Sequence, residues 1–252
     1  MTTITNASLL TMIVFVMIPV SLSMFFVLGL SKSILWSSLR GVLQLFLIGY
    51  ILTFLFSIDD WKGIGMMLAV MLSVATYHAG KRGESLPYIY VSVFLILFLI
   101  EALVLSLWLL FDLIPFQAEQ VIPMSGMIIG NGMVAVGLSL ERMKSEFQEQ
   151  RGRIMAALSL GAKPHQASKV IVKRTLKAAM IPNIDGLKTI GLVQLPGMMT
   201  GLILGGASPI EAIRYQIVVS LSIFSSVSIC AMLVTIVMYR FFFNKQMQLI
   251  YD

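Results

Sequence analysis

Apolar residues run through this chain in seven long blocks separated by short polar segments. The blocks extend from Leu9 to Leu30, Ile34 to Phe56, Gly63 to Ala79, Leu86 to Leu110, Val121 to Leu140, Leu187 to Leu204 and Ile217 to Tyr239. About 20 residues at 1.5 Å per helical residue cross the roughly 30 Å hydrocarbon layer of a bilayer, and each block reaches or approaches that length. Period-two alternation is absent and the blocks exceed a barrel strand, so backbone polar groups must be satisfied inside helices. The pattern predicts an all-α integral membrane protein of about seven transmembrane helices, forming one transmembrane domain over residues 1–252. The amino-terminal segment carries no Lys or Arg, and the run behind it is longer than a signal-peptide core. It is therefore expected to remain as the first span.

Composition agrees, since a chain that is 58% apolar and 12% charged cannot clothe a water-facing surface of this length. Charge then orients the spans, because Lys and Arg in short loops resist translocation. Sixteen of the eighteen basic residues fall on one side of the alternating loops: Lys32, Arg40, Lys81, Arg82, the group from Arg142 to Lys188, Arg240 and Lys245. The other side holds Lys62 and Arg214 beside Asp59, Asp60, Asp112, Glu119 and Glu211. The amino terminus is thus expected outside and the carboxyl terminus in the cytosol, in a multi-pass protein of the cell's inner or plasma membrane. The net charge of +6 suits an anionic inner leaflet. These charges are spread over several loops without interleaved aromatics, which excludes a nucleic-acid partner. Cys230, the single cysteine, lies in the last apolar block and excludes an intrachain disulfide.

The largest basic segment, about 141–186, is the cytosolic one between the fifth and sixth blocks. Glu141 to Gln150 reads as a polar stalk with Arg142 and Glu146, then Glu149 and Arg153, at helical pairing distance. Gly161 suits the left-handed position after a helix, and Pro164 the first turn of the next. That break and restart predict a knuckle. The following helix, His165 to Ile181, sets Lys169, Lys173 and Lys177 in one stripe, able to lie on lipid headgroups, and Pro182 is expected to end it. The sixth block is interrupted by Pro196, which is expected to kink or unwind it. Gly197, Gly201 and Gly205 share a face that a neighbouring helix is expected to approach.

The run LGAKPHQA, Leu160 to Ala167, is similar to the ATPase-coupling loop of bacterial ABC permeases. Ala156 and Ala157 precede it, with Met155 where that pattern usually has Glu. Together with Pro209 to Gln216, it resembles the iron-exporting ABC permeases of the bacterial Fet type, whose plant relatives are half-transporters linked to aluminium tolerance. The specific wording spans about Ala157 to Gln216. The resemblance implies a permease subunit that pairs with a second copy and is driven by a separate ATP-binding subunit. Ala157, Leu160, Gly161, Ala162, Pro164 and His165 would dock that motor. The chain has no Walker A sequence, so ATP and Mg are expected on the partner and no cofactor on this chain.

Polar residues inside spans mark a pathway by default. Glu101 in the fourth span is the foremost, either lining a route or pairing with Arg40 of the second, whose face Gln44 shares. Asn131 and Gln194 add amides expected to hydrogen-bond between helices. Pro196, Gly197, Met198 and Met199 would form a deformable wall. His78 and His165 share no ligand spacing, so Glu101 is the single metal candidate, helped by Asp59, Asp60 and Glu119 at the outer mouth. No Ser, His and Asp set, no HExxH and no paired carboxylates occur, so no catalytic residue is assigned and the chain is not expected to be an enzyme. The reading is an ABC exporter permease for iron or another metal. A scaffold or sensor subunit that moves nothing, an importer, and a permease for an organic solute such as a nucleotide sugar remain open.

Overall fold

A computed structural model describes residues 11–58, 61–84, 86–244 and 246–250. Among them are nine α-helices: α1 (Ile13–Phe25), α2 (Ser31–Ile58), α3 (Trp61–Lys81), α4 (Ile89–Leu110), α5 (Ala118–Glu149), α6 (Arg151–Ser159), α7 (Pro164–Thr189), α8 (Gly197–Leu204) and α9 (Pro209–Met238). A short 3₁₀ turn, Tyr239–Phe242, follows. The chain divides into two compact units, residues 1–59 and 60–252. The expected all-helical class is what the structure has.

Five helices are long and apolar enough to cross a membrane among the described residues: Ser31–Thr53, Trp61–Lys81, Ile89–Leu110, Ala118–Glu149 and Pro209–Phe242. That corrects the expected seven. The first block yields only the 13-residue α1, about 20 Å long. It stops because Val27 and Gly29 take positive φ values of 52° and 70°, turning the chain into α2. The Ser23 hydroxyl accepts from the Leu30 amide at 3.1 Å, which fastens that turn. Leu9 and Leu10 of this block lie outside the described residues.

The sixth block is also not a span. After Thr189 the chain turns at Gly191, whose φ of +79° needs glycine. Pro196 does not kink a helix here. It sits at the N-cap of the eight-residue α8, where its fixed φ and missing N–H suit a helix start. In the second unit α5 and α9 run parallel, with Gly132 against Cys230 midway and Phe147 stacked on Phe242 at 4.0 Å at one end. Helix α7 returns antiparallel to both. Its Arg174 meets Glu146 near the end of α5, and its Asn183 bonds α9 further back. At 26 residues, α7 is about 39 Å long.

Expected to stop at Pro182, α7 instead runs seven residues further. Pro182 forfeits one helical hydrogen bond, but the buried stripe Ser168, Ile171, Thr175 and Ala179 holds the helix against its neighbours. Local chemistry sets the start of α9: the Ser208 hydroxyl accepts from the Glu211 amide at 3.3 Å, with Pro209 at the first helical position. Between helices in lipid, close packing and hydrogen bonds substitute for the hydrophobic effect. Gly132 lets α4, α5 and α9 meet: an added Cβ would lie 3.2 Å from Leu97 and 3.3 Å from Cys230. Trp108 of α4, buried, donates to the Ser222 hydroxyl of α9 at 2.9 Å.

Gly132→Leu is therefore expected to destabilise the helical bundle by about 1–3 kcal/mol through overpacking. Thermal unfolding in detergent checks this, with Gly130→Leu as the control. A Cβ at Gly130 meets nothing within 4 Å, and its change should stay near wild type.

Candidate functional site

The knuckle forms as its local chemistry dictates. Helix α6 ends in a Schellman turn, with the Ala162 amide bonded to the Ala157 carbonyl at 3.0 Å and the Gly161 amide to Leu158 at 2.9 Å. Gly161 carries a φ of +86°. Lys163 caps the next helix, its amide donating to the Gln166 side chain at 2.9 Å, and Pro164 opens α7. The turn therefore presents Leu160 at 88% exposure, with Met155 and His165 also exposed and Pro164 half-buried. Leu160 is thus the apolar tip of a tightly capped turn. Two crevices, of about 410 and 450 Å³, flank the turn. The carboxyl-terminal tail lines both through Met247, and Gln246 and Gln248 line the larger wall of the first. Sequence reasoning missed this tail, because tertiary contacts of Phe147 with Phe242 and Phe243 bring it back to the stalk.

The stalk is tied to the knuckle's returning helix by one carboxylate. Glu146, buried on α5, pairs with Arg142 at 3.0 Å, as its spacing predicts, and with Arg174 of α7 at 3.7 Å. Arg174 was invisible as a partner from sequence. Glu149, the last residue of α5, accepts from Ser145 at 2.7 Å instead of pairing with Arg153 of α6. The Lys169, Lys173 and Lys177 stripe is exposed along α7, opposite its buried face.

Further along α7 the chain builds a polar cleft of about 240 Å³, walled by α5, α7, α9 and the turn before α8. Asn131, Gln194 and Pro196, expected to line a pathway, meet there with Asn183, Gln216 and Ser220. Asn131 donates to the Met127 carbonyl of its own helix at 2.8 Å, not between helices. Asn183 donates to the Phe224 carbonyl of α9 at 3.3 Å, and Gln216 to the Ser220 hydroxyl at 2.8 Å. The Gln216 oxygen is buried with no hydrogen-bond partner. Gln216 closes the Pro209–Gln216 run noted in the sequence, whereas Asn183 had no signal beyond its place after Pro182.

The other pathway candidates do not converge on this cleft. Glu101 is buried on α4, 4% exposed, with neither carboxylate oxygen hydrogen-bonded and Ser125 of α5 as its polar neighbour. Arg40 and Gln44 belong to the first unit, where they share a shallow apolar groove with Trp36, Leu39, Leu43 and Leu47. Met198 and Met199 are half-buried on α8. Positions Gly197 and Gly201 face open space, so among the described residues the expected close approach of a neighbouring helix is not made there. Among the described residues no group of three His, Cys, Asp or Glu stands ready to hold a metal. Asp59 and Asp60 lie outside the described residues, while Glu119 is exposed in the first turn of α5.

Comparison with known proteins agrees with the resemblance read from the coupling-type loop. The model of the family described as "Uncharacterised protein family (UPF0014)" matches residues 6–243. The "Probable iron export permease protein FetB" of Escherichia coli (strain K12) is 38% identical over 247 residues, covering 98% of this chain and 95% of that protein. Two plant proteins are also similar. The "UPF0014 membrane protein STAR2" of Oryza sativa subsp. japonica is 36% identical over 88% of this chain and 78% of its own. "Protein ALUMINUM SENSITIVE 3" of Arabidopsis thaliana is 35% identical over 94% of this chain and 87% of its own. No solved structure matches the chain. With its family model and its relatives each spanning most of its length, the chain belongs to the UPF0014 family of membrane proteins.

Proposed function

We propose that this chain is the membrane-spanning subunit of an ABC exporter, driven by a separate ATP-binding subunit and carrying iron or another metal out of the cell. The observation that carries this reading is the capped knuckle at Leu160–Pro164: a rigid turn with an exposed apolar tip, at the end of a stalk continuous with α5. The name of the similar Escherichia coli protein, an iron export permease, supports the cargo.

In this reading ATP and Mg are held by the partner, and two permease copies enclose the route. The glycine face of α8 offers a close approach to the second copy. The basic ends of α3, α5 and α9 face the cytosol of an inner or plasma membrane, following the charge bias of the loops. Because α5 and α9 run parallel, α7 recrosses the membrane between them. Motor closure then pushes on Leu160. The short α6 and the start of α7 move as one piece, since the Schellman turn and the Lys163–Gln166 cap fix the angle between them. Glu146 passes the displacement to α5 through Arg174, and α7 passes it to the cleft. Glu101 lines the route within the bundle.

Three outcomes follow. Gly161→Val forces a β-branched residue into a left-handed conformation costing at least about 1–2 kcal/mol locally. Partner binding and efflux should fall at least tenfold while the helical bundle keeps its melting temperature; unchanged copurification and efflux would remove the docking assignment. Glu146→Gln should leave the partner bound but lower efflux severalfold, read by comparing copurified ATP-binding subunit with transport. Glu101→Gln should abolish the fall in cellular iron caused by the intact pair, measured by elemental analysis of cells under iron and peroxide stress. Iron content indifferent to the pair would instead direct the cargo search to organic solutes.

A further inference from the structure

We propose that the cleft between α5, α7 and α9 is a transit site for a hard divalent metal cation that keeps most of its water shell, held by the carboxamide oxygens of Asn131, Asn183 and Gln216. The assignment rests on the permease reading and names the chemistry of its route.

The direction of the amides is the first argument. A carbonyl can be served only by an NH₂ group, so the bonds from Asn131 to Met127 and from Asn183 to Phe224 fix both amides with their oxygens left over. Gln216 is placed with its NH₂ donating to the Ser220 hydroxyl. Each amide nitrogen thus has a partner, and among the described residues none of the three oxygens accepts a hydrogen bond. A buried oxygen such as that of Gln216 costs about 1–3 kcal/mol when unpaired, so its retention needs a visiting donor or cation.

Charge and size then narrow the visitor. No Lys, Arg or His lines the cleft, so an anionic phosphate or nucleotide would face carbonyl dipoles of the wrong sign. The open cleft of about 240 Å³ has room for an ion with water around it. Neutral oxygens, preferred by hard cations, attract the ion without the grip of a carboxylate cluster. Weak binding of this kind lets an ion enter and leave, as transit requires.

The test uses Mn²⁺ as the probe and the purified full-length chain in phosphatidylcholine nanodiscs. Loss of the free-ion paramagnetic resonance signal reports binding. Wild type should bind Mn²⁺ weakly, Gln216→Leu at least tenfold more weakly, and Gln216→Glu at least tenfold more tightly. The last change keeps side-chain size and adds charge beside the ion, so a gain cannot come from misfolding. Binding no greater than that of empty nanodiscs, or equal in all three proteins, would overturn the assignment. ATP plays no part in this measurement. Gln216-dependent Mn²⁺ binding without ATP-driven efflux would uphold the cleft and remove the exporter reading, whereas efflux with Mn²⁺ binding indifferent to Gln216 would do the reverse.

Discussion

Two long helices that run in the same direction cannot be joined by a turn; the chain between them has to come back. That constraint organises this protein. Helices α5 and α9 lie parallel, drawn together where Gly132 meets Cys230 and where Phe147 stacks on Phe242. Everything between Gln150 and Ser208 is therefore the return journey: out along α6, around the Gly161 knuckle, back along α7, and over the turn and short α8 to the cap of α9. The knuckle and the amide cleft are the two ends of that return, linked by one continuous helix of 26 residues.

A continuous rod between an exposed tip and a polar cleft has mechanical meaning. Force applied at Leu160 would enter a single unbroken helix that leads to the cleft. The Arg174–Glu146–Arg142 cluster ties the same helix to the stalk of α5. Its carboxylate is buried while both guanidinium groups are about half exposed, so loss of an arginine leaves buried charge less compensated, whereas loss of the carboxylate leaves two guanidinium groups that water already reaches. At the far end, Asn183 bonds the α9 backbone, so displacement of α7 alters the cleft directly.

How much of this was written in the sequence depends on whether the signal was local. Continuous apolar blocks fell on α2, α3, α4, α5 and α9, since hydropathy alone decides such helices. The knuckle was legible because Gly161 and Pro164 act within one turn. Helix α7 was not legible as one continuous returning helix: Lys169, Lys173, Lys177 and Asp185 lower its hydropathy, and Pro182 reads as a stop. Its continuity comes from packing against α5 and α9, which no local pattern reports. The apolar block at Leu187–Leu204 misled for the converse reason, being hydrophobic enough to span yet broken by the Gly191 turn and Pro196. The cleft was half visible. Asn131, Gln194 and Pro196 stood out as polar or breaking residues in apolar surroundings, but nothing in their spacing placed them beside Asn183 and Gln216.

The central claim is that the knuckle is a handle moved by an ATP-driven partner. A spin label at Leu160→Cys tests it directly, with pulsed dipolar spectroscopy on the permease reconstituted with its ATP-binding subunit. Leu160 is exposed and Cys230 buried, so labelling is directed to the tip. The account predicts a distance between the labels of two copies that shifts by several ångströms when ATP and vanadate replace the nucleotide-free state. A missing inter-label distance, or one indifferent to nucleotide, would contradict it.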